Sequence, residues 1–381
     1  MTILIVCDVL GEENNGTTLA AMNLIRSLRA KGHTVRILCP DKERRGQPDF
    51  YVVKTFNLGP LNGYVRKNGV LLAHPDKDVI AAAMDGVDAV HIMMPFALGN
   101  AAARMAKKKG LPLTAGFHCQ AQNFTTHIFL RKSLFANFIT YKVFYFKLYR
   151  HVDAIHYPTQ FIRDVFEHYA GKTNGYVISN GVGSEFRPAP TTPHEGNVIV
   201  FTGRYSEEKS HVILIDAAAR CRHADTLKLV FAGDGPLKKR LMRRARKLPV
   251  KPVFKFFSRE ELLDVLHSAD LYVHPAEVEI EAIACLEAIA CGLVPVIADS
   301  KLCATRHFAL DEMNLFPCNN RKALAQRIDY WLDHPEQRAQ RSAQYAGYAR
   351  QFDHDECMDR MERMILETIE NVRQRDDGHG A

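Results

Sequence analysis

Several features that mark specialised protein classes are missing from this chain of 381 residues. No apolar run approaches the 18 or so residues of a membrane-spanning helix. The N-terminus is expected to form a strand and not a secretion signal, because it lacks a basic start and reaches an acid at Asp8. The nine cysteines include no CxxC pair, which argues against a zinc site or a disulfide framework. No GxGxxG follows a predicted strand, which weakens a dinucleotide-dependent enzyme.

What is present is the composition of a folded globular protein. Hydrophobic residues make up 47% of the chain and charged residues 24%, which excludes a disordered or collagen-like chain. At about 150 residues per domain, the length predicts two domains. The formal charge of +7 favours anionic partners, although no motif supports nucleic-acid binding. Cysteines inside apolar runs, such as Cys7 and Cys285, predict a reducing, cytoplasmic location.

Short apolar segments alternate with longer segments of helical period, which predicts parallel strands covered by helices. The predicted strands are Ile3–Cys7, Val35–Cys39, Ala89–Ile92, Leu113–Phe117, Ala154–Tyr157, Gly175–Ile178, Val198–Thr202, Lys228–Ala232, Pro252–Phe256, Leu271–His274 and Val294–Ala298. The predicted helices are Thr18–Ala30, His211–Cys221, Leu237–Leu248, Arg259–His267, Ile283–Cys291 and Lys322–Leu332. A segment with three prolines, Phe186–Asn197, separates the two halves. We therefore predict an α/β protein of two Rossmann-like, doubly wound parallel-sheet domains, residues 1–186 and 190–350, facing each other across a ligand-binding cleft.

The loop after the first strand has the spacing of a phosphate-binding P-loop without its chemistry. Thr17 stands where that loop has its lysine, and Glu12 and Glu13 would repel a phosphate, so we exclude an NTPase. Gly16 remains a candidate for ligand contact, because it lets backbone N–H groups approach a ligand at a helix N-terminus. The alternative is a cleft-facing loop that only caps the helix.

Two cations follow the first strand of the second half. Arg204 and Lys209 lie five residues apart where the chain leaves the sheet, so both can reach one diphosphate. Arginine supplies a planar fork and lysine a mobile charge, which suits a leaving group whose negative charge grows. The alternative is a solvated loop in which both cations pair with Glu207 and Glu208.

An acid-rich turn and a helix follow the predicted strand at Leu271–His274. Glu287 falls among apolar helix residues, where a carboxylate without a partner is costly, and a pair of ribose hydroxyls is a suitable partner. Glu279, in the preceding turn, can accept hydrogen bonds from sugar hydroxyls near the helix N-terminus. A cluster of acids that only complements the helix dipole explains Glu277 to Glu281 but not Glu287.

Together these motifs resemble the retaining glycosyltransferases of family 4, which have the GT-B fold. The resemblance rests on Gly203–Lys209, Phe231–Pro236, Ser179–Val182, Gly32-His33 and the pair Glu279 and Glu287, separated by seven residues. It covers nearly the whole chain in the family's order. The chain departs from the family's pattern at two places. Phe257 replaces the family's glycine after a strand, near the expected contacts with the nucleotide base, and acids accompany Gly16 in the N-terminal loop.

The resemblance implies roles for individual residues. Arg204 and Lys209 would bind the donor's diphosphate, Glu287 the ribose, and Glu279 the transferred sugar. His118 matches the family's histidine that contacts the donor sugar or its phosphate, although by itself it would be an ordinary strand-end histidine. The further donor-binding candidates are Gly16, Gly203, Gly233, Asp234, Gly235, Phe256, Phe257, Ile283 and Ala284. A helix at residues 355–373 would pack back on the N-terminal domain.

The implied reaction moves a hexose from a nucleotide diphosphate sugar, such as UDP-glucose, with retention of configuration. The acceptor attacks from the leaving-group face and a donor phosphate oxygen takes its proton, so no protein base is implied. Arg204, Lys209 and a helix N-terminus supply positive charge, so neither a metal nor another cofactor is expected.

The N-terminal half is also similar to bacterial diacylglycerol glucosyltransferases, which implies a glycolipid acceptor and a peripheral location on the inner face of the membrane. The aromatic and basic segment His127–His151 predicts either a helix on an anionic bilayer or a core helix with a basic face. Leu237–Ser258 has nine cations and no acid, as in a solvated face or a membrane-surface patch. A soluble or polysaccharide-precursor acceptor, a sugar-nucleotide epimerase and a non-catalytic nucleotide-sugar-binding module remain alternatives.

Overall fold

The structure is a computed structural model that describes residues 1–8, 10, 16–57, 59, 73–126, 133–190 and 195–378. The chain divides into two compact units. The first comprises Met1–Asn180 and Asp355–Ala381, and the second comprises Gly181–His354. The predicted boundary was at residues 186 to 190. The chain joins the second unit before the prolines, because the Val182 N–H donates to the Phe352 carbonyl at 2.7 Å.

The first unit is built on a seven-stranded parallel sheet. Its strands are β1 (Thr2–Val6), β2 (Thr34–Cys39), β3 (Phe50–Val52), β4 (Ala89–Ile92), β5 (Leu113–Gly116), β6 (Ala154–Tyr157) and β7 (Gly175–Val177). They lie in the order β3-β2-β1-β4-β5-β6-β7. Central strands such as β4 are buried on both faces, as expected for parallel strands between two layers of helices.

Among the described residues of this unit, six helices lie between the strands. They are α1 (Gly16–Ala30), α2 (Lys77–Ala83), α3 (Ala97–Lys108), α4 (Ala121–Thr126), α5 (Leu134–Lys147) and α6 (Gln160–Ala170). Asp76 caps α2 by accepting from two backbone N–H groups, and Thr159 caps α6 by accepting from the Ile162 N–H. Gly171 ends α6 with φ of 85°, a conformation that favours glycine.

The second unit has a six-stranded parallel sheet with the order β10-β9-β8-β11-β12-β13. Its strands are β8 (Asn197–Thr202), β9 (Leu227–Ala232), β10 (Val253–Lys255), β11 (Leu271–His274), β12 (Val294–Asp299) and β13 (Leu315–Pro317). Its helices are α7 (His211–Ala218), α8 (Lys238–Ala245), α9 (Arg259–His267), α10 (Ile283–Ala290), α11 (Arg321–Asp333) and α12 (Pro335–Ala349). The strand order reverses between β8 and β11, which is where such sheets bind ligands.

The final helix, α13 (His354–Gly378), belongs mostly to the first unit. Its buried apolar side chains include Met358, Met361, Met364, Ile365 and Ile369. Polar contacts hold it at both ends. Lys31 Nζ and His33 Nε2 lie 2.8 and 2.7 Å from carboxylate oxygens of Glu362, and Arg373 pairs with Asp88 at 3.0 Å.

The predicted fold class of two doubly wound parallel sheets is confirmed. Strands β3 and β13 were not predicted, because each is an edge strand of three residues and too short to form a distinct apolar run. β13 also ends at Pro317, which has no N–H to donate to a neighbouring strand. Within the part of the chain that the structure describes, no helix is both long and apolar enough to cross a bilayer.

Candidate functional site

Three loops of the second unit meet at the carboxyl ends of β8, β9 and β11. They bring together predicted residues that lie far apart in sequence: Arg204 and Lys209 after β8, Gly233 and Gly235 after β9, and Glu279 after β11. A backbone hydrogen bond of 2.8 Å from Glu277 N–H to the Glu208 carbonyl joins the first and third loops. The predicted site residues of this unit therefore surround one edge of one sheet.

Glycine is required where the loops after β8 and β9 approach each other. A Cβ at Gly233 would lie 2.1 Å from the Gly203 carbonyl oxygen, and one at Gly235 would lie 2.7 Å from the backbone of Tyr205. Both glycines have positive φ, near 157°. Tyr205 is buried beneath this contact, and its hydroxyl donates to the Phe231 carbonyl at 2.6 Å. The two loops are held in fixed positions without side chains between them.

Lys209 and Glu279 form an ion pair that sequence alone did not predict. The Lys209 ammonium donates to Glu279 Oε1, and both side chains are largely buried. Burial by itself raises the pKa of a carboxyl, but Lys209 and His274 outweigh that effect and lower the pKa of Glu279 to about 2. Glu279 is therefore ionised throughout the physiological pH range.

A chain of polar side chains continues from this pair into the sheet. His274 Nε2 lies 3.4 Å from Glu279 Oε1, and its Nδ1 lies 3.3 Å from the Tyr272 hydroxyl. The Tyr272 hydroxyl contacts Thr202 Oγ1 at 3.0 Å. Burial lowers the pKa of His274, so its ring is held neutral beside the carboxylate. Sequence reasoning missed His274, although a polar residue that closes an apolar strand was a usable signal.

The turn between β11 and α10 is held in an unusual backbone conformation. Ala282, at the N-terminus of α10, has φ of 63° and ψ of 68°, in the left-handed region that residues with a Cβ rarely adopt. Backbone hydrogen bonds from Glu279 N–H to Leu302 and from Ala304 N–H to Glu279 fix the turn from outside. Strain of this kind persists where the surroundings impose it, commonly at ligand sites.

Glu287 lies on α10 and is 8% exposed. Its carboxylate accepts no hydrogen bond within the described ranges of the chain. Burial raises the pKa of this carboxyl to about 7, while Arg259 opposes the shift and Glu185 adds to it. Arg259 itself pairs with Glu185. Glu287 is thus a buried carboxylate without a hydrogen-bond partner among the described residues, and its role in binding a ribose stays a prediction.

Arg204 is half-buried in the loop after β8. Burial lowers the pKa of its guanidinium, and the nearby Glu208 raises it. The predicted alternative of a loop in which both cations pair with Glu207 and Glu208 is not what the structure shows, since Glu207 pairs with Arg240 and Lys209 pairs with Glu279.

The remaining candidates of this unit lie around the same edge. Asp234 pairs with Lys238 at 2.8 Å and accepts from the Gly235 N–H. Phe256, just after β10, exposes its ring, whereas Phe257 is half-buried beneath the Lys255 ammonium. At the start of α10, Ile283 is followed by Ala284, whose carbonyl accepts from Thr202 at 3.5 Å.

His118 and Gly16 belong to the first unit. His118 follows β5, and its Nε2 is buried without a hydrogen-bond partner among the described residues. The ring packs against Gly116, where a Cβ would lie 2.4 Å from Nε2. Burial and the neighbouring His156 keep the pKa of His118 well below its usual range, so the ring is neutral. Gly16 is the exposed first residue of α1.

Asp8 is a buried acid of the first unit. Sequence reasoning used it only to argue that the N-terminus forms a strand, and did not identify it as a candidate site residue. Asp8 follows β1 and accepts from the Leu98 and Gly99 N–H groups at the start of α3, at 3.1 and 3.2 Å. Burial raises the pKa of this carboxyl to about 7. Asp8 therefore occupies the anion-attracting end of α3.

Acids of the same unit neutralise part of the charge of the basic segment at Leu237–Ser258. Five of its nine cations form ion pairs with four acids: Lys238 with Asp234, Arg240 with Glu207, Arg244 and Lys247 with Asp216, and Lys255 with Glu261. Asp216 is 2% exposed and also binds Arg321 at 3.1 Å. The net positive charge of this surface is therefore smaller than the local sequence alone indicates.

No cluster of three or more histidine, cysteine, aspartate or glutamate side chains in the described ranges has the geometry of a metal site. The donor set at the edge of the second sheet consists of two cations, two carboxylates and backbone N–H groups. Such a set can bind a diphosphate through its cations and hydroxyl groups through its carboxylates.

Family models match both halves of the chain. A model described as Glycosyltransferase Family 4 matches residues 14–186, and one described as Glycosyl transferases group 1 matches residues 183–349. Together they include all the predicted site residues.

Two relatives show the range of similar proteins. The chain is 31% identical over 201 residues to a GDP-mannose-dependent alpha-(1-6)-phosphatidylinositol dimannoside mannosyltransferase from Mycobacterium tuberculosis. This match covers 50% of this chain and 52% of the relative, which is about half the length of each. It is 23% identical over 317 residues to an alpha-monoglucosyldiacylglycerol synthase from Streptococcus pneumoniae, which covers 78% of this chain and 72% of that protein.

The fold is shared with solved structures. Sucrose-phosphate synthase from Thermosynechococcus elongatus superimposes with a TM-score of 0.76 and 15% identity, over 96% of this chain and 98% of the other. At this identity the likeness concerns the fold alone. The predicted GT-B fold is confirmed.

Proposed function

Because the chain belongs to the family 4 glycosyltransferases, we propose that it transfers a hexose from a nucleotide diphosphate sugar to a glycolipid or diacylglycerol-type acceptor at a membrane surface, with retention of configuration. The observation that carries the proposal is the edge of the second sheet. There Arg204 and Lys209 lie on the loop after β8, which only glycine allows to approach the loop after β9. Glu279, paired with Lys209, lies in the turn after β11, and the unpartnered Glu287 lies on α10.

The donor diphosphate binds Arg204 and Lys209 in this proposal. In the free protein the Lys209 ammonium is paired with Glu279. A diphosphate can draw that ammonium away, which leaves the Glu279 carboxylate free to accept hydrogen bonds from the sugar hydroxyls. Both cations then oppose the negative charge that grows on the departing phosphate. Neither a metal nor another cofactor is required for that role.

Glu287 accepts hydrogen bonds from the ribose hydroxyls, for which its buried and unpartnered carboxylate is suited. The nucleotide base of the donor lies against Gly233, Asp234, Gly235, Phe256 and Phe257. Ile283 and Ala284 bring the N-terminus of α10 close to the donor.

The chemical step needs no side chain as a base. The bond between the anomeric carbon and the phosphate oxygen breaks, and its electron pair stays on the phosphate. The acceptor oxygen bonds to the same carbon from the same face and passes its proton to a phosphate oxygen. His118 contacts the donor sugar or its phosphate as a neutral ring, which agrees with its lowered pKa.

The names of the two relatives support a lipid acceptor. One name contains phosphatidylinositol dimannoside and the other diacylglycerol, whereas the sugar differs between them. A lipid acceptor class is thus better supported than any one donor. UDP-glucose is the proposed donor, and GDP-mannose is the competitor to test. The proposed location is cytoplasmic, peripheral on the inner face of the membrane.

The decisive experiment is a screen of nucleotide sugars, including UDP-glucose and GDP-mannose, for protection against thermal unfolding. We expect one donor to raise Tm. The same donor should be consumed when diacylglycerol or a glycolipid is added, and the rate of consumption should be the same when EDTA is present. Anomeric configuration is read from the product by NMR. Donor consumption without acceptor and with a second sugar nucleotide as product would indicate an epimerase, and a Tm shift without turnover would indicate a binding module.

Donor affinity is expected to depend on pH through Glu287. Burial raises the pKa of this carboxyl to about 7, and only the ionised form accepts two ribose hydrogen bonds. The donor should therefore bind several-fold more weakly at about pH 6 than at about pH 8, because binding must first remove a proton. Calorimetric titration measures the Kd of the donor at both pH values. Glu287→Gln should bind weakly at both values with little pH dependence; an equal pH dependence in the variant would contradict the assignment.

A further inference from the structure

The outer face of helix α5 exposes an unusual amount of apolar surface. Six of the eleven exposed large apolar side chains in the described chain lie on this one helix. They are Leu134, Phe135, Phe138, Ile139, Val143 and Phe146. We call this set the outer face of α5. Isolated apolar side chains on a surface are ordinary, but a contiguous group on one helix marks a binding surface.

The rotation of α5 is fixed by polar contacts on its inner face. The Thr125 hydroxyl donates to Asn137 Oδ1 at 2.7 Å, and the Tyr141 hydroxyl donates to Gln122 Oε1 at 3.0 Å. Tyr141 is fully buried, and its ring stacks on that of Tyr169 with 4.7 Å between the ring centres. These contacts prevent the helix from turning its apolar side chains inward. The outer face is therefore an exposed surface that the fold maintains.

The sequence segment that contains this helix carries charge of one sign. Residues 89–152 contain nine lysines and arginines and neither an aspartate nor a glutamate. Lys142 and Arg150 extend over the rings of Phe138 and Phe146, at 5.5 and 5.4 Å from the ring centres. Within the described ranges, no cation of this segment forms an ion pair with an acid. In the basic segment of the second unit, by contrast, five of the nine cations are paired with acids.

We propose that the outer face of α5 docks on an anionic lipid bilayer, with its apolar side chains at the level of the acyl chains and the surrounding cations on the headgroups. Lysine and arginine can lay their apolar stems along the aromatic rings and keep their charges among the phosphates. Each cation near such a surface adds attraction, which salt weakens. Because a second copy of the chain would bring like charges together, charge complementarity favours a bilayer over self-association.

This inference deepens the proposed function, and it rests on that function for the presence of a lipid acceptor. Its test is a binding experiment without nucleotide sugar, so that the two can fail separately. The full chain is sedimented with phosphatidylglycerol vesicles and with phosphatidylcholine vesicles, at low and high salt. We expect binding to the anionic vesicles at low salt and much weaker binding at high salt or to phosphatidylcholine.

Variants locate the contact. The double substitution Leu134→Ser with Phe135→Ser removes the two most exposed side chains of the face, so folding should be unaffected, and vesicle partitioning should fall about tenfold or more. The matched control is Phe56→Ser with Met242→Ser, which removes two exposed apolar side chains elsewhere and should bind as the wild type does. Light scattering reports the oligomeric state.

Three results would overturn the proposal. The wild-type protein could stay unbound with phosphatidylglycerol vesicles at low salt. The Leu134 and Phe135 variant could bind as well as the wild type. The wild-type protein could be a dimer that this variant converts to a monomer, which would show that a second copy covers the face. Vesicle binding without sugar transfer would leave this inference standing and refute the proposed function.

Discussion

Replacing Arg204 by alanine is expected to lower kcat/KM about a thousandfold, because its charge is removed from a half-buried position where no water can replace it fully. Burial lowers the pKa of this guanidinium but leaves it charged, so in the wild type it opposes the growing charge of the departing diphosphate. The measurement is initial-rate kinetics with the donor found in the screen.

Two further variants separate charge from geometry. Arg204→Lys keeps the charge but loses the planar fork, so we expect a smaller loss, of about tenfold to a hundredfold. Arg240→Ala is the matched control, because Arg240 lies in the same unit and pairs with Glu207 at an exposed position. Its kcat/KM should stay near the wild-type value. An Arg204→Ala variant with unchanged kcat/KM would refute the placement of the donor diphosphate.

Replacing Lys209 by methionine is expected to lower both stability and turnover. The substitution leaves the largely buried Glu279 carboxylate without its cation, which costs about 3 kcal/mol in the free energy of unfolding. Because the pKa of Glu279 is depressed in the wild type, the pair stabilises the protein at neutral pH and ceases to do so as the pH falls through about 2. The measurement is denaturant unfolding of the wild type and the variant at neutral and acidic pH. The difference between their free energies of unfolding should become smaller as the pH falls.

Adding Glu279→Gln to that variant tests its physical cause. The double variant has neither charge, so most of the lost stability should return, while turnover stays low because both donor contacts are missing. If the double variant is as unstable as Lys209→Met alone, the unpaired carboxylate is not the source of the instability. If it regains turnover, Lys209 and Glu279 do not form the donor site.

Much of the fold could be predicted from periodicity alone. Strands such as Leu271–His274 and Ala89–Ile92 have the predicted bounds, because a strand buried on both faces is a short, uniformly apolar run between polar segments. The unpartnered Glu287 could also be anticipated, since a single carboxylate at an apolar helix position is conspicuous. These features are local, and the nearby sequence contains the whole signal.

The contacts that sequence did not predict join distant parts of the chain. Lys209 and Glu279 were both identified, but their pairing across 70 residues depends on how the loops after β8 and β11 converge. The ion pairs of the basic segment after β9 could not be predicted for the same reason, because the acids that partly neutralise it, such as Asp216, come from other segments. The aromatic and basic segment around α5 was identified, but its sequence left open a bilayer-facing helix and a core helix, because the rotation of α5 is set by contacts with Gln122 and Thr125 of another helix.

The return of α13 to the first unit has a consequence for biosynthesis. During translation the second unit emerges as one continuous stretch, Gly181–His354, and can fold as soon as it leaves the ribosome. The first unit has to wait for residues 355–378, although its seven strands were made earliest. Until then, the surface that Met361, Ile365 and Ile369 cover stays open, and Lys31 and His33 lack Glu362. Of the two units, the one that is synthesised earlier is thus completed last.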